Sequence, residues 1–239
     1  MFTLRLLLAA LVWLLLALLV PAAEPEFSFL EPLRPLDSRL PPTLADIESR
    51  LQADHDLRVE DPITWGHEGT HYIDARLVRS PVRAFYCLRG RVARFRNPKI
   101  SMTRIAAGVP PRLRGAIYRS YLLEPSKLRV LDDEPLYLLN EWIAYTHGSQ
   151  IRKEIGWVKR GETLQHMAEL GVYVSVLVEL TSQADPTYDL APLVTFIRWN
   201  VARGKEIAED QWTGLTAFVS AAEASYAPAL DLMDLVKKD

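Results

Sequence analysis

Residues 61–77 read DPITWGHEGTHYIDARL, and their spacing sets both the local fold and the chemistry. Asp61 followed by Pro62 is a capping residue with proline at the first helical position, so a helix is expected to start there and run to about Leu77. His67 and His71 lie four residues apart on that helix. Such a pair is separated by about 40° around the axis, with Cβ atoms some 5 to 6 Å apart, so the two imidazoles can converge on one ion. Zinc suits them, because it accepts neutral imidazole nitrogen at about 2.0 to 2.1 Å and, in catalytic sites, takes three protein ligands while keeping a position for water. Glu68 sits about 100° round from His67, on the flank of the ion, where a general base is needed.

A third ligand has to come from another part of the chain, and His147, His166 or a carboxylate on a neighbouring helix are the candidates. Residues 139–148, LNEWIAYTHG, favour Glu141. It falls in the middle of a helix expected to begin at Asp132 or Asp133 with Pro135 and to end at Gly148. Its face is otherwise built from Leu138, Trp142 and Tyr145, a costly place for an unpaired charge that a metal would neutralise. The competing reading is an ion pair between Glu141 and an arginine of the preceding segment. Donors for a developing oxyanion are sought among Tyr118, Tyr121, Tyr137, Tyr145 and His147, with Tyr145 and His147 ranked first.

The two stretches together resemble the gluzincin zinc metallopeptidases, locally the neprilysin-like branch, which carries HExxHxxD on one helix and ExxAD on a later one. Here HEGTHYID supplies His67, Glu68, His71 and Asp74, and EWIAY supplies Glu141 and Ala144; Tyr145 stands where the family has aspartate. The resemblance implies a Zn²⁺ held by His67, His71 and Glu141, Glu68 as the base, and hydrolysis of peptide bonds. It also implies an aspartate that orients a histidine ring, a role open to Asp74. It covers about 25 residues in two patches, and the region upstream of His67 is too short for the large β-rich half of many gluzincins, so a minimal zincin core is expected.

Around these motifs the chain reads as one mostly helical domain with a small β-hairpin insert, over residues 42–239. Residues 1–23 carry Arg5 and an unbroken apolar run from Leu6 to Val20, the pattern of a signal peptide or N-terminal membrane anchor. The expectation is an exported protein, periplasmic or secreted, in contact with membrane only through that segment. Residues 24–41 are proline-rich and read as a linker or surface strap. Thr43 is expected to cap a short amphipathic helix, residues 84–97 to form two strands around Gly90, residues 101–115 to be loop, and residues 116–123 to be a short helix or strand. Helices are expected over about 163–180, 190–203 and 211–226, with a short tail from Leu230.

Cys87 is the only cysteine, so an intrachain disulfide is excluded, and it reads as a small buried residue. No Asp or Glu occurs between Asp74 and Glu124, while arginines recur from Arg76 to Arg119. Such an insert either neutralises an acidic body or attracts an anionic ligand; nucleic acid is not an expected partner. Two functions follow: an exported zinc peptidase acting on peptides or proteins, or a non-catalytic exported protein in which the same ligands hold a structural zinc or none and the arginine-rich insert binds an anionic surface.

Overall fold

Helix α2 (Pro62–Leu77) begins where its cap predicts: the Asp61 carboxylate accepts hydrogen bonds from the backbone N–H groups of Ile63 and Thr64, at 3.1 and 3.2 Å. It belongs to a computed structural model that describes residues 25–52, 61–124, 129–157 and 162–208. The apolar N-terminal run and the helices expected beyond residue 208 lie outside those residues. The other elements are strand β1 (Ser28–Phe29), helix α1 (Pro42–Glu48), strands β2 (Val82–Tyr86) and β3 (Arg91–Arg96), and helices α3 (Met102–Gly108), α4 (Tyr137–Glu154), α5 (Glu162–Ala184) and α6 (Ala191–Ala208). A 3-10 turn at Pro111–Leu113 and a π-helical turn at Arg119–Leu123 join α3 to α4. The fold is mostly α with a small three-stranded antiparallel sheet of order β1-β3-β2. Among the described residues, no helix is long and apolar enough to cross a membrane.

The sheet is covered on both faces, which explains why its strands are apolar on both sides. Ala84, Tyr86 and Val92 point toward Leu44, Ile47 and Leu51 around α1 and toward Ile63 and Ile73 of α2. Phe85, Cys87, Ala93 and Phe95 point the other way, into a larger core with Leu138, Leu139 and Ile143 of α4, Leu170, Tyr173 and Leu177 of α5, and Phe196 of α6. Each large aliphatic side chain closed off there contributes about 1.5 to 3 kcal/mol. Cys87 is fully buried, as a small apolar residue would be, and burial pushes its thiol up to about 12.

Four local expectations are corrected. Residues 102–108 form a helix: Ser101 caps it by accepting from Arg104 N–H at 3.2 Å, and burial of Met102, Ile105 and Ala106 stabilises a segment too short to persist alone. Helix α4 runs past Gly148 to Glu154, and beyond its cap the φ of 69° at Gly156 lets the Trp157 N–H reach the Arg152 carbonyl at 3.0 Å. Thr43 is not a cap; it lies in the first turn of α1, and its N–H and hydroxyl both donate to the Glu154 carboxylate, at 2.9 and 2.6 Å. The segment read as a strap adds a strand, Ser28 pairing with Val92 and Phe29 with Arg91.

The arginine-rich insert is divided in its duties. Arg83 pairs with Glu134, and Arg96 with Asp185 at 3.3 Å. Arg94 and Arg114 donate to the carbonyls of Leu77 and Val109. Much of the insert therefore fastens the sheet and its loops to the helical body.

Candidate metal centre

Helices α2 and α4 pack so closely that a Cβ added at Gly66 would collide with the Cδ1 atom of Ile151. Through this contact the ring pair of α2 reaches the carboxylate of α4. His67 Nε2 and His71 Nε2 are 3.0 Å apart, and Glu141 Oε2 is 3.6 Å from each. A point equidistant from these three atoms lies about 2 Å from each, the bond length zinc takes with nitrogen and carboxylate oxygen. Among the described residues this is the group of three His, Cys, Asp or Glu side chains able to hold an ion.

Glu141 is 6 % exposed, and its Oε2 atom has no hydrogen-bond donor. Burial pushes its carboxyl up, but the facing imidazoles of His67 and His71 and the Tyr137 hydroxyl outweigh that and hold it well below the usual carboxylate range. The same attraction acts on His71, where burial opposes protonation and Glu141, with Asp74 and Glu68 beyond it, raises the pKa. An orphaned buried oxygen aimed at two imidazole nitrogens fits a cation. Among the described residues no arginine pairs with Glu141, the alternative read from the sequence; its neighbours are the two histidines and Tyr137.

The tautomer of His71 follows from its other nitrogen. Asn140 Oδ1 lies 2.6 Å from His71 Nδ1, Asn140 Nδ2 donates to Asp74 Oδ2 at 2.6 Å, and Asp74 Oδ1 accepts from the Tyr86 backbone N–H at 2.6 Å. Because the amide nitrogen is committed to a carboxylate, Asn140 presents its oxygen to the ring; His71 Nδ1 must then carry the proton, leaving the Nε2 lone pair for a metal. Asp74 thus reaches the ring through Asn140. Asn140 was missed in the sequence, though a mid-helix asparagine beside Glu141, poorly suited to a helix interior, is a signal that could have found it.

Tyr145 and His147, ranked together from sequence, are separated by the fold. The Tyr145 ring stands edge-on to His67 with centroids 4.7 Å apart, and its hydroxyl lies 2.9 Å from that of Tyr121. His147 is fully buried between α2 and α4, its Nδ1 atom 2.9 Å from Thr70 Oγ1, which itself donates to the Gly66 carbonyl at 2.8 Å. Burial, with Arg203 and the histidine pair nearby, keeps His147 neutral by lowering its pKa. It is closed off from any substrate, so the expected donor role is corrected to one inside the helix interface. Tyr118 is likewise structural, donating to the Ala106 carbonyl at 2.8 Å. His166 of α5 comes to 5.3 Å from the Tyr145 ring, and Tyr137 stacks on Tyr121, so the centre has an aromatic wall that spacing alone did not reveal.

Glu68 is exposed on α2, and its charge acts on His71, Tyr137 and Tyr145. Beside His71 a cavity of about 150 Å³ opens between α2, β2 and the start of α4, lined by Val78, Phe85, Leu131, Leu136 and Tyr137. Comparisons of the chain with protein-family models, curated proteins and solved structures give no match.

Proposed function

We propose that this chain is a gluzincin-like zinc metallopeptidase, with His67, His71 and Glu141 as the ligands and Glu68 as the general base. The observation that carries the reading is the triangle of two Nε2 atoms and one Oε2 atom, from two separate helices, whose centre lies at zinc bonding distance from all three. A bound zinc ion supplies Lewis acidity toward a water molecule and a scissile carbonyl. Asn140 and Asp74 hold the His71 ring in its ligating tautomer. Glu68 takes a proton from the attacking water and passes it to the leaving amine. The hydroxyl of Tyr145, steadied by Tyr121, is the donor for the oxygen on which negative charge develops. The cavity beside His71, where Val78, Phe85, Leu131 and Leu136 stand beside the paired Arg83 and Glu134, takes one substrate side chain. We further read the apolar N-terminal run as an export signal or anchor, which puts the activity outside the cytoplasm.

The test compares the mature protein with Glu68→Gln and His67→Ala, by metal analysis and by hydrolysis of a quenched peptide library. The wild type should carry one zinc per chain and cleave; E68Q should keep the zinc and lose cleavage, and H67A should lose both. Equal zinc in wild type and H67A, or unchanged cleavage by E68Q, rules the proposal out.

A further inference from the structure

A second cavity, of about 600 Å³, lies on the far side of α4, between the start of α1, the β2–β3 turn and α6. Its walls include Arg89, Arg91, Lys153, Trp199 and Arg203. Its acidic residues are largely committed elsewhere. Asp46 accepts from Arg50 at 2.6 Å and from the Arg89 N–H at 2.7 Å, and Glu154 accepts from Thr43 and from Gln150. Glu206, one turn beyond Arg203, is exposed and forms no ion pair with it among the described residues.

Arg91 and Arg203 are left without carboxylate partners among the described residues. The Arg91 Nε and Arg203 Nη1 atoms are covered from solvent and have no hydrogen-bond acceptor. Both guanidinium groups sit over the Trp199 ring, with Cζ atoms 5.2 and 4.8 Å from its centroid, so two like charges share one aromatic side chain. Burial, with Arg91 and Arg89 nearby, pulls the Arg203 pKa down to about 10. The turn that carries Arg89 holds φ of 64° at Leu88 and 53° at Arg89, a left-handed conformation that costs a non-glycine residue energy, and Asp46 fixes it by accepting from the Arg89 N–H. Two guanidinium groups, from β3 and α6, meet over one aromatic ring at a cavity of ligand size, and the described residues supply no carboxylate to either.

We infer that this cavity binds an organic anion, its oxyanion group bridging Arg91 and Arg203 and its body lying against Trp199. Both a carboxylate and a phosphate offer the planar or forked oxygen pair that guanidinium groups grip in bidentate fashion. The space is far larger than a bare inorganic ion needs, so the ligand carries an apolar or aromatic body.

Titration calorimetry on the full mature chain with phenyl phosphate, benzoate and neutral benzamide tests this. At least one anion should bind in the submillimolar range and benzamide should not; phosphate over carboxylate preference, or the reverse, identifies the source chemistry. Arg91→Met and Arg203→Met should each weaken binding by about tenfold or more. Both variants should melt no lower than wild type without ligand, because each removes an unpaired, partly desolvated charge. His67→Ala should bind the anion as wild type does, whatever the outcome at the metal centre. Absence of binding by both anions, full binding in either methionine variant, or loss of binding in H67A would overturn the inference.

Discussion

Asn140 Oδ1 lies 2.6 Å from His71 Nδ1, with the amide nitrogen of the same side chain held by Asp74. With Asp74 ionised, reversing the amide would set its oxygen against the carboxylate, so the oxygen faces the ring and Nδ1 carries the proton. Asn140→Ala should therefore weaken zinc binding about 10- to 100-fold, the usual effect of losing an outer partner of a ligating histidine. Asp74→Asn should do the same at a distance, since a second amide next to Asn140 invites it to flip. Competition with a chromophoric chelator measures both; unchanged affinity in the two variants would show that the relay does not set the tautomer.

The same carboxylate makes stability depend on pH. Burial pushes Asp74 up to about 8 in the metal-free fold, whereas an unfolded Asp titrates near about 3.9. The folded state holds the proton more tightly, so this group's stabilising contribution is complete below about pH 4 and is lost as pH rises through about 8. Urea unfolding of the zinc-free protein at pH 5 and pH 8 should show a larger loss in the wild type than in Asp74→Asn.

Close approach of α2 to α4 depends on the missing side chain at Gly66, where an added Cβ meets fully buried Ile151. Gly66→Leu should cost about 3 kcal/mol through overpacking and should also prise the histidine pair from Glu141. Denaturant melts and zinc stoichiometry on one preparation report the two effects together.

Glu169 of α5 is fully buried and accepts from the N–H groups of Ala116 and Ile117, at 3.0 and 3.1 Å, and from the Tyr173 hydroxyl at 3.1 Å. It anchors the turn that leads to Tyr121, the hydroxyl partner of Tyr145. Glu169→Ala strands these donors and should destabilise the fold by about 2 to 4 kcal/mol. If Tyr145 acts as donor, peptide turnover per zinc should fall as well, while zinc content stays constant.

Much of the centre was legible in the chain itself. A capped helix imposes a 3.6-residue period, and that period alone brings His67 and His71 onto one face with Glu68 on its flank. The isolated charge of Glu141 on an apolar helix face pointed to a buried partner. The mostly helical class and the hairpin around Gly90 followed from hydrophobic spacing and turn residues in the same way. Each of these is set by neighbours within a few residues.

What local spacing does not contain, the tertiary fold decided. Only packing of α2 on α4 could distinguish Tyr145, beside His67, from His147, sealed between the helices, because both lie on one helix and differ in which way they face. Only the sheet, which brings the Tyr86 N–H to Asp74, could show that Asn140 stands between that carboxylate and the ring. The short helix α3 and the late end of α4 belong to the same class, since burial against distant segments overrode weak local preference.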